Sequence, residues 1–181
     1  MIVFITGGAK NGKSSLAQEL AVKLSNGGPH YYIATMIPSD EEDRERIRRH
    51  IADRAGLGFE TVECGREILS CLDRVDRHAA FLLDSATALL LNELFPDPTG
   101  GEMDEQAGER CSRELAEFAQ SVDNIVIVSD YIYSDAARYD AVTEVYRRAL
   151  AKIDRTLAQV SDVVIEVCAG QIVTHKGVLP V

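Results

Sequence analysis

The chain has 181 residues, 46% of them apolar and 27% charged, and carries a formal net charge of −10 from 29 acidic and 19 basic side chains. That length suits one domain with a single well-buried core, and the acidic balance argues against a nucleic-acid surface, which needs a basic face. No uninterrupted apolar run approaches the roughly 18 residues of a membrane span, and the chain enters a strand directly with no signal peptide, so cytoplasm is the default expectation.

In chain order, the apolar run Ile2-Val3-Phe4-Ile5-Thr6 reads as a strand, followed by Gly7-Gly8-Ala9-Lys10-Asn11-Gly12-Lys13-Ser14. The latter is a complete G-x-x-x-x-G-K-[ST] phosphate-binding loop. Residues 15–21 continue with helical spacing. A strand feeding a glycine loop that opens a helix gathers backbone N–H groups and the positive end of the helix dipole around one point. Gly7 and Gly12 are expected to let the backbone close around a phosphate. Lys13 supplies positive charge to the β/γ-phosphates, and the Ser14 hydroxyl is placed for Mg²⁺. These residues predict a nucleoside triphosphate ligand.

Asn26-Gly27-Gly28-Pro29 breaks the chain before a second strand, His30–Thr35. Residues 39–54 alternate Glu, Asp and Arg and read as a solvated helix capped by Ser39 or Asp40. A weak strand at 59–62 and a helix at 68–75 follow. Ala79–Asp84 is a buried parallel strand by its unbroken apolar character, and 86–95 an apolar helix. Two prolines and two glycines make 96–101 a loop, expected to be mobile. Then come an amphipathic helix at 105–122, a buried strand at 124–129, a long helix at 138–160, a strand at 162–167 and an edge strand at 171–174. Strands alternating with helices on short connectors mean an α/β fold with a mainly parallel sheet flanked by helices, P-loop NTPase-like, in a single domain spanning 1–181. Ligands in such sheets bind beyond the carboxyl ends of the strands, here Thr6–Ser14, Thr35, Asp84–Thr87 and Ser129–Tyr131.

Asp84 ends an apolar strand, where a P-loop protein keeps the acid that holds Mg²⁺; capping of the next helix is the weaker alternative, since Ser85 competes for that role and the first loop already demands a Mg²⁺ partner. On a helix, Arg46, His50 and Arg54 share a face. A histidine among guanidinium groups has the chemistry to attack phosphorus while the arginines offset charge on the departing phosphates. Spacing alone favours an exposed salt-bridged helix with a bystander histidine. His30, His78 and His175 read as structural or surface residues, and Tyr131, Tyr133, Tyr139 and Tyr146 as either pocket-lining or packed. Cys64, Cys71, Cys111 and Cys168 form no C-x-x-C pair and read as buried or half-buried free thiols.

Taken in order, these motifs resemble the bifunctional adenosylcobinamide kinase/adenosylcobinamide-phosphate guanylyltransferase family of cobalamin biosynthesis. Thr6–Ser14 resembles its T-G-G-A-[RK]-S-G-K-S, Tyr32–Thr35 its Y-I-A-T, and Arg46–His50 with Arg54 its R-I-x-x-H segment. Thr61-Val62-Glu63 resembles its T-x-E, and Leu82–Thr87 with Asn92 its L-L-D-C-x-T and later Asn. Arg147 and Leu157-Ala158 fit its last helix. The resemblance implies ATP- or GTP-dependent phosphorylation of adenosylcobinamide, then GMP transfer from GTP to the phosphorylated corrinoid through a histidine phosphoramidate. His50 becomes the guanylylated nucleophile, with Lys13 beside it as the other catalytic residue. Gly7, Gly8, Ala9, Lys10, Asn11, Gly12, Lys13, Ser14, Thr35, Arg46, Arg54, Glu63 and Asp84 make up the nucleotide site, and Ser14 and Asp84 hold Mg²⁺. It further implies a homo-oligomer, a trimer in the family.

The family's S-N-E-V-G and G-I-V-P segments are absent; Ser129-Asp130-Tyr131-Ile132-Tyr133-Ser134-Asp135 stands there instead, with Asp130 a shorter stand-in for the lost carboxylate. Ala151 and Asp154 replace the usual Gly and Asn, and Phe59 a Trp. Two other readings stay open at this point: a P-loop kinase for a different small alcohol, and a nucleotide-binding regulatory protein.

Overall fold

The computed structural model describes residues 1–97, 101–135 and 137–179. Its strands are β1 (Ile2–Gly7), β2 (His30–Ala34), β3 (Glu60–Glu63), β4 (Ala80–Asp84), β5 (Asn124–Asp130), β6 (Val163–Cys168) and β7 (Gln171–Lys176). Its helices are α1 (Lys13–Leu24), α2 (Glu41–Asp53), α3 (Ala86–Leu94), α4 (Ala107–Gln120) and α5 (Ala141–Val160). The strands form one sheet in the order β3-β2-β4-β5-β1-β6-β7. All pairs are parallel except β6 with β7. Among the described residues, no helix is long and apolar enough to cross a membrane.

Both faces of the sheet are covered, which is why its central strands read as continuous apolar runs. On one face Phe4, Ile33, Phe81, Leu83 and Ile127 pack with Leu89 of α3, Leu115 of α4 and Leu150 of α5. On the other, Val3, Ile5, Leu82, Val126 and Ile165 meet Ala17, Leu20 and Ala21 of α1. The period-2 alternation along β1 therefore sends Phe4 to the three-helix side and Val3 and Ile5 to the α1 side. By contrast, α2 contains no buried residue, as its dense charge alternation predicts.

The expected elements are present, with a few shifted bounds. Residues 68–75, read as a helix, are a 3₁₀ turn over Ile68–Asp73. Its buried residues, Ile68 and Cys71, stand three apart, the spacing of a three-residue turn. The long helix begins at Ala141 rather than 138, because Asp140 accepts from the Thr143 amide and caps it there. Cys168 is exposed, whereas the other three cysteines are buried. It closes β6, where the chain turns into the fully exposed edge strand β7. Part of the 96–101 loop, residues 98–100, lies outside the described residues.

Phe81 sits at the centre of the larger core, fully buried, stacked on Tyr31 at 5.3 Å and edge-on to Phe118 of α4 at 6.0 Å between ring centroids. Phe81→Ala removes both ring contacts and leaves a cavity that sheet and helix cannot close. It is expected to cost about 3–5 kcal/mol, read from the urea unfolding midpoint.

Candidate active site

The phosphate loop starts where β1 ends. Gly7 is in an extended conformation of positive φ, and a Cβ there would collide with the Val167 carbonyl of β6. The neighbouring strand thus itself requires glycine at this position. Gly12, at φ 90°, has open space around it; its requirement is conformational, turning the chain into α1 with its carbonyl already accepting from the Leu16 amide. Lys13 opens the helix, is only 5% exposed, and folds back over the loop. Its Nζ donates to the Gly8 carbonyl at 2.6 Å and pairs with Asp130 Oδ1, also at 2.6 Å.

The second cluster gathers at the ends of β2 and β4. Ser85 caps α3 by accepting from the Ala88 amide, so Asp84 is not consumed as a cap. Asp84 Oδ2 instead accepts from the Tyr32 hydroxyl at 3.0 Å and lies 3.5 Å from His50 Nδ1. Tyr32 OH is also 3.4 Å from that nitrogen. Burial, reinforced by the Asp84 charge, pushes the Tyr32 phenol far above its ordinary range, which keeps it a donor. Arg54 lies over the Tyr32 ring with its guanidinium carbon 4.1 Å from the centroid, and donates to Thr61 Oγ1. Thus α2, which buries nothing of its own, is held to the sheet edge through His50 and Arg54 on either side of one tyrosine.

These groups line one cleft of about 840 Å³, within the usual size of a small-molecule site. Its wall contains Ala9–Ser15, Asp43, Arg46, His50, Asp84 and Asp130. The predicted Ala9, Lys10, Asn11, Gly12, Lys13, Ser14, Arg46, His50 and Asp84 therefore come together. Among the described residues, the wall does not include Gly7, Gly8, Thr35, Arg54 or Glu63. Thr35 is fully buried; its hydroxyl donates to the Ser85 carbonyl and accepts from the Ser85 amide, holding the end of β4. Glu63 is exposed at the end of the edge strand β3. Asn92 donates to the carbonyls of Thr35 and Gly65 and ties α3 to both segments.

Sequence reasoning did not single out the apolar part of the wall: Met36, Ile37, Leu91 and Phe95, with Arg66 beside them. Arg66 donates to the carbonyls of Asn92 and Phe95, closing the C-terminal end of α3. No spacing pattern marks such residues, since the loop after β2 and the far face of α3 meet only in the folded chain.

The segment after β5 is folded onto α5 and β6. Tyr131 donates to Glu166, Tyr133 to Asp154 and Tyr139 to Asp135. Arg147, nearly buried, pairs with Asp135 and Glu144, donates to the Ile132 carbonyl, and stacks on Tyr139. Of the four tyrosines only Tyr146 reaches the cleft wall; Tyr131 and Tyr133 are half-buried with a bonded tip, and Tyr139 is exposed. Asp154 is 5% exposed, and its Oδ1 has no hydrogen-bond partner among the described residues. Burial, helped by the Asp130 charge, raises its carboxyl from 3.8 to about 6.

A family model described as cobinamide kinase / cobinamide phosphate guanyltransferase matches residues 3–175. The bifunctional adenosylcobalamin biosynthesis protein CobU of Salmonella typhimurium is 25% identical, over 94% of this chain and 97% of that protein. Among solved structures, an ATPase domain superposes with a TM-score of 0.52 at 14% identity, covering 91% of this chain and 68% of that one. A KaiC-like protein from Pyrococcus horikoshii gives 0.53 at 11% identity, covering 97% and 78%. Those two likenesses concern the fold alone.

The buried carboxyl yields a pH signature. The folded Asp154 keeps its proton at pH values where the unfolded chain has released it, so its cost is absent below about pH 4 and grows as pH rises through about 6. Asp154→Asn carries no such charge and still accepts from Tyr133. Its stability relative to the unmodified chain should improve by about 2–3 kcal/mol between pH 4 and pH 7.5, measured by urea unfolding of both at each pH.

Proposed function

The chain belongs to the cobinamide kinase / cobinamide phosphate guanyltransferase family, and from that premise we propose that its one cleft serves two phosphorus transfers. In the first, a nucleoside triphosphate phosphorylates the alcohol of adenosylcobinamide. In the second, GMP passes from GTP to adenosylcobinamide phosphate through a covalent bond to His50. The observation that carries this reading is that His50 lines the same cleft as the phosphate loop, with its Nδ1 turned to Asp84 and Tyr32.

That orientation assigns the roles of the two ring nitrogens. With Nδ1 facing a carboxylate, the imidazole carries its proton there and presents Nε2 as the nucleophile. Nε2 attacks the α-phosphorus of GTP, the bond from that phosphorus to the bridging oxygen breaks, and pyrophosphate leaves. The Asp84 charge stabilises the imidazolium that forms. An oxygen of the acceptor's phosphate then attacks the same phosphorus, the P–N bond breaks, and the imidazole is restored. Arg46, on the cleft wall, offsets charge on the departing pyrophosphate. Lys13 holds the β/γ-phosphates once they draw it from Asp130.

Mg²⁺ suits the oxygens present. It is bound by one or two protein oxygens together with substrate phosphates, and Ser14 and Asp84 supply a hydroxyl and a carboxylate on one wall. Asp84 Oδ2 is engaged by Tyr32 and His50, while Oδ1 has no hydrogen bond among the described residues. Bound there, the ion would neutralise charge on the phosphate oxygens. Phosphorylation of a different alcohol is the second reading, favoured by the tyrosine-stapled segment at 131–135 in place of the family's glycine- and proline-containing one.

With α-labelled GTP and Mg²⁺, the protein should acquire an acid-labile label, and His50→Ala should reduce it to background while still binding GTP. An unlabelled wild type with nucleotide bound removes the guanylyl step; equal labelling of His50→Ala moves the nucleophile elsewhere. Tyr32→Phe, which loosens both Asp84 and His50, should slow labelling by about 10-fold or more, a loss of about 1.4 kcal/mol in the transition state.

A further inference from the structure

We propose that Asp130 is the base of the phosphoryl-transfer step: it neutralises Lys13 between turnovers and takes the proton of the acceptor hydroxyl once a triphosphate draws Lys13 away. This rests on the kinase half of the reading above.

The position follows from strand order. β5 lies between β1, which feeds the phosphate loop, and β4, which ends in Asp84. Asp84 pairs in register with Val128, so β5 runs two residues further, and Asp130 stands opposite Gly7 at the mouth of the loop. The carboxyl end of β5 is therefore the part of the sheet edge between the lysine and Asp84, where the terminal phosphoryl group must lie. The backbone there is held from both sides. The Asp130 amide donates to Thr87 Oγ1 at 2.8 Å, and the Tyr131 amide donates to the Gly7 carbonyl.

The carboxylates on the cleft wall are not equivalent. Asp43 accepts from the Ser39 amide and hydroxyl at the start of α2. Asp84 is engaged by Tyr32 and His50. Asp130 alone among the described wall carboxylates has as its ion-pair partner the residue that the phosphates recruit. A phosphate oxygen that replaces it on Lys13 sits about 3 Å from Nζ, which sets the γ-phosphorus beside the freed carboxylate. The step balances without a further reactant. The acceptor oxygen bonds to the γ-phosphorus, the bond from that phosphorus to the β–γ bridging oxygen breaks, and the nucleoside diphosphate leaves. The hydroxyl proton passes to Asp130, which returns it to solvent as the diphosphate departs and Lys13 swings back. An aspartate accepting a substrate hydroxyl proton is an established device in phosphoryl transfer.

The test compares Asp130→Asn and Asp130→Glu with wild type in two assays on the same preparations: triphosphate-dependent phosphorylation of adenosylcobinamide, and self-guanylylation from α-labelled GTP. Self-guanylylation deprotonates no alcohol and serves as the internal control for folding and nucleotide binding. Asp130→Asn should lower kcat for phosphorylation by about 100- to 1000-fold, bind triphosphate at least as tightly because Lys13 is no longer shared, and lose less than about 10-fold in self-guanylylation. Asp130→Glu should recover part of the phosphorylation rate. An Asp130→Asn variant that keeps its kcat, or one that loses both reactions equally, overturns the assignment while leaving the functional reading intact. A wild type that guanylylates itself but phosphorylates no corrinoid overturns the kinase reading and the base together.

Discussion

Parallel pairing locks Gly7 opposite Asp130, Asp84 opposite Val128 and Ala34 opposite Asp84, and the phosphate loop and the two strand-end aspartates of the cleft take their places from that register. Side chains in a strand alternate faces with a period of two, so a slip of one residue would turn Asp84 and Asp130 toward the opposite face and send Leu83 and Val128 each into the other apolar layer, whose packing they do not match. The core therefore enforces the site. The two apolar layers, one against α3, α4 and α5 and the other against α1, are packed in the observed alignment of β1, β4 and β5. A lysine, two aspartates and a glycine loop are delivered to the same edge as a consequence.

Onto that rigid edge is hung an element of a different kind. α2 has its N-terminus capped by Asp40, acidic residues in its first turn, and ion pairs among Glu41, Glu45 and Arg48 on its surface. Those interactions make it a helix, but they do not place it. Placement falls to Tyr32, whose hydroxyl meets Asp84 and His50 while its ring carries the Arg54 guanidinium. Such a helix exchanges little buried surface when it shifts, which suits the role proposed for His50 as a nucleophile that meets a phosphorus atom and then an acceptor. His30 and Phe59 pack edge-on at 4.7 Å behind that tyrosine and support it.

The segment after β5 is held in place by bonds between side chains. Tyr131, Tyr133 and Tyr139 each spend their hydroxyl on a carboxylate, and Arg147 gathers Asp135, Glu144 and the Ile132 carbonyl. Side-chain staples thus hold a segment in which the family resemblance implies glycine- and proline-containing turns. The staple brings a cost at Asp154, a carboxyl kept in apolar surroundings with one oxygen unbonded among the described residues. It also leaves Asp130 at the last residue of β5, next to Lys13. The same departure that distinguishes this chain from its family therefore lies against the phosphate site.

Sequence alone determined the parallel α/β class, the order of nearly all elements, the phosphate loop and the family, because these depend on local pattern: apolar runs, helical periodicity and a fixed motif spacing. It also marked Asp84 and His50 as candidates, yet left open whether Asp84 was a cap or a ligand and whether His50 was a bystander. Only the folded chain shows that Ser85 occupies the cap and that strand pairing brings Tyr32 and Asp84 within reach of His50 on a helix far from them in sequence. The strand order, with β5 inserted between β1 and β4, was likewise invisible, because nothing local to a strand encodes which neighbour it pairs with. The requirement for glycine at position 7 is hidden for the same reason. Its constraint comes from the Val167 carbonyl, remote along the chain and adjacent only across the sheet.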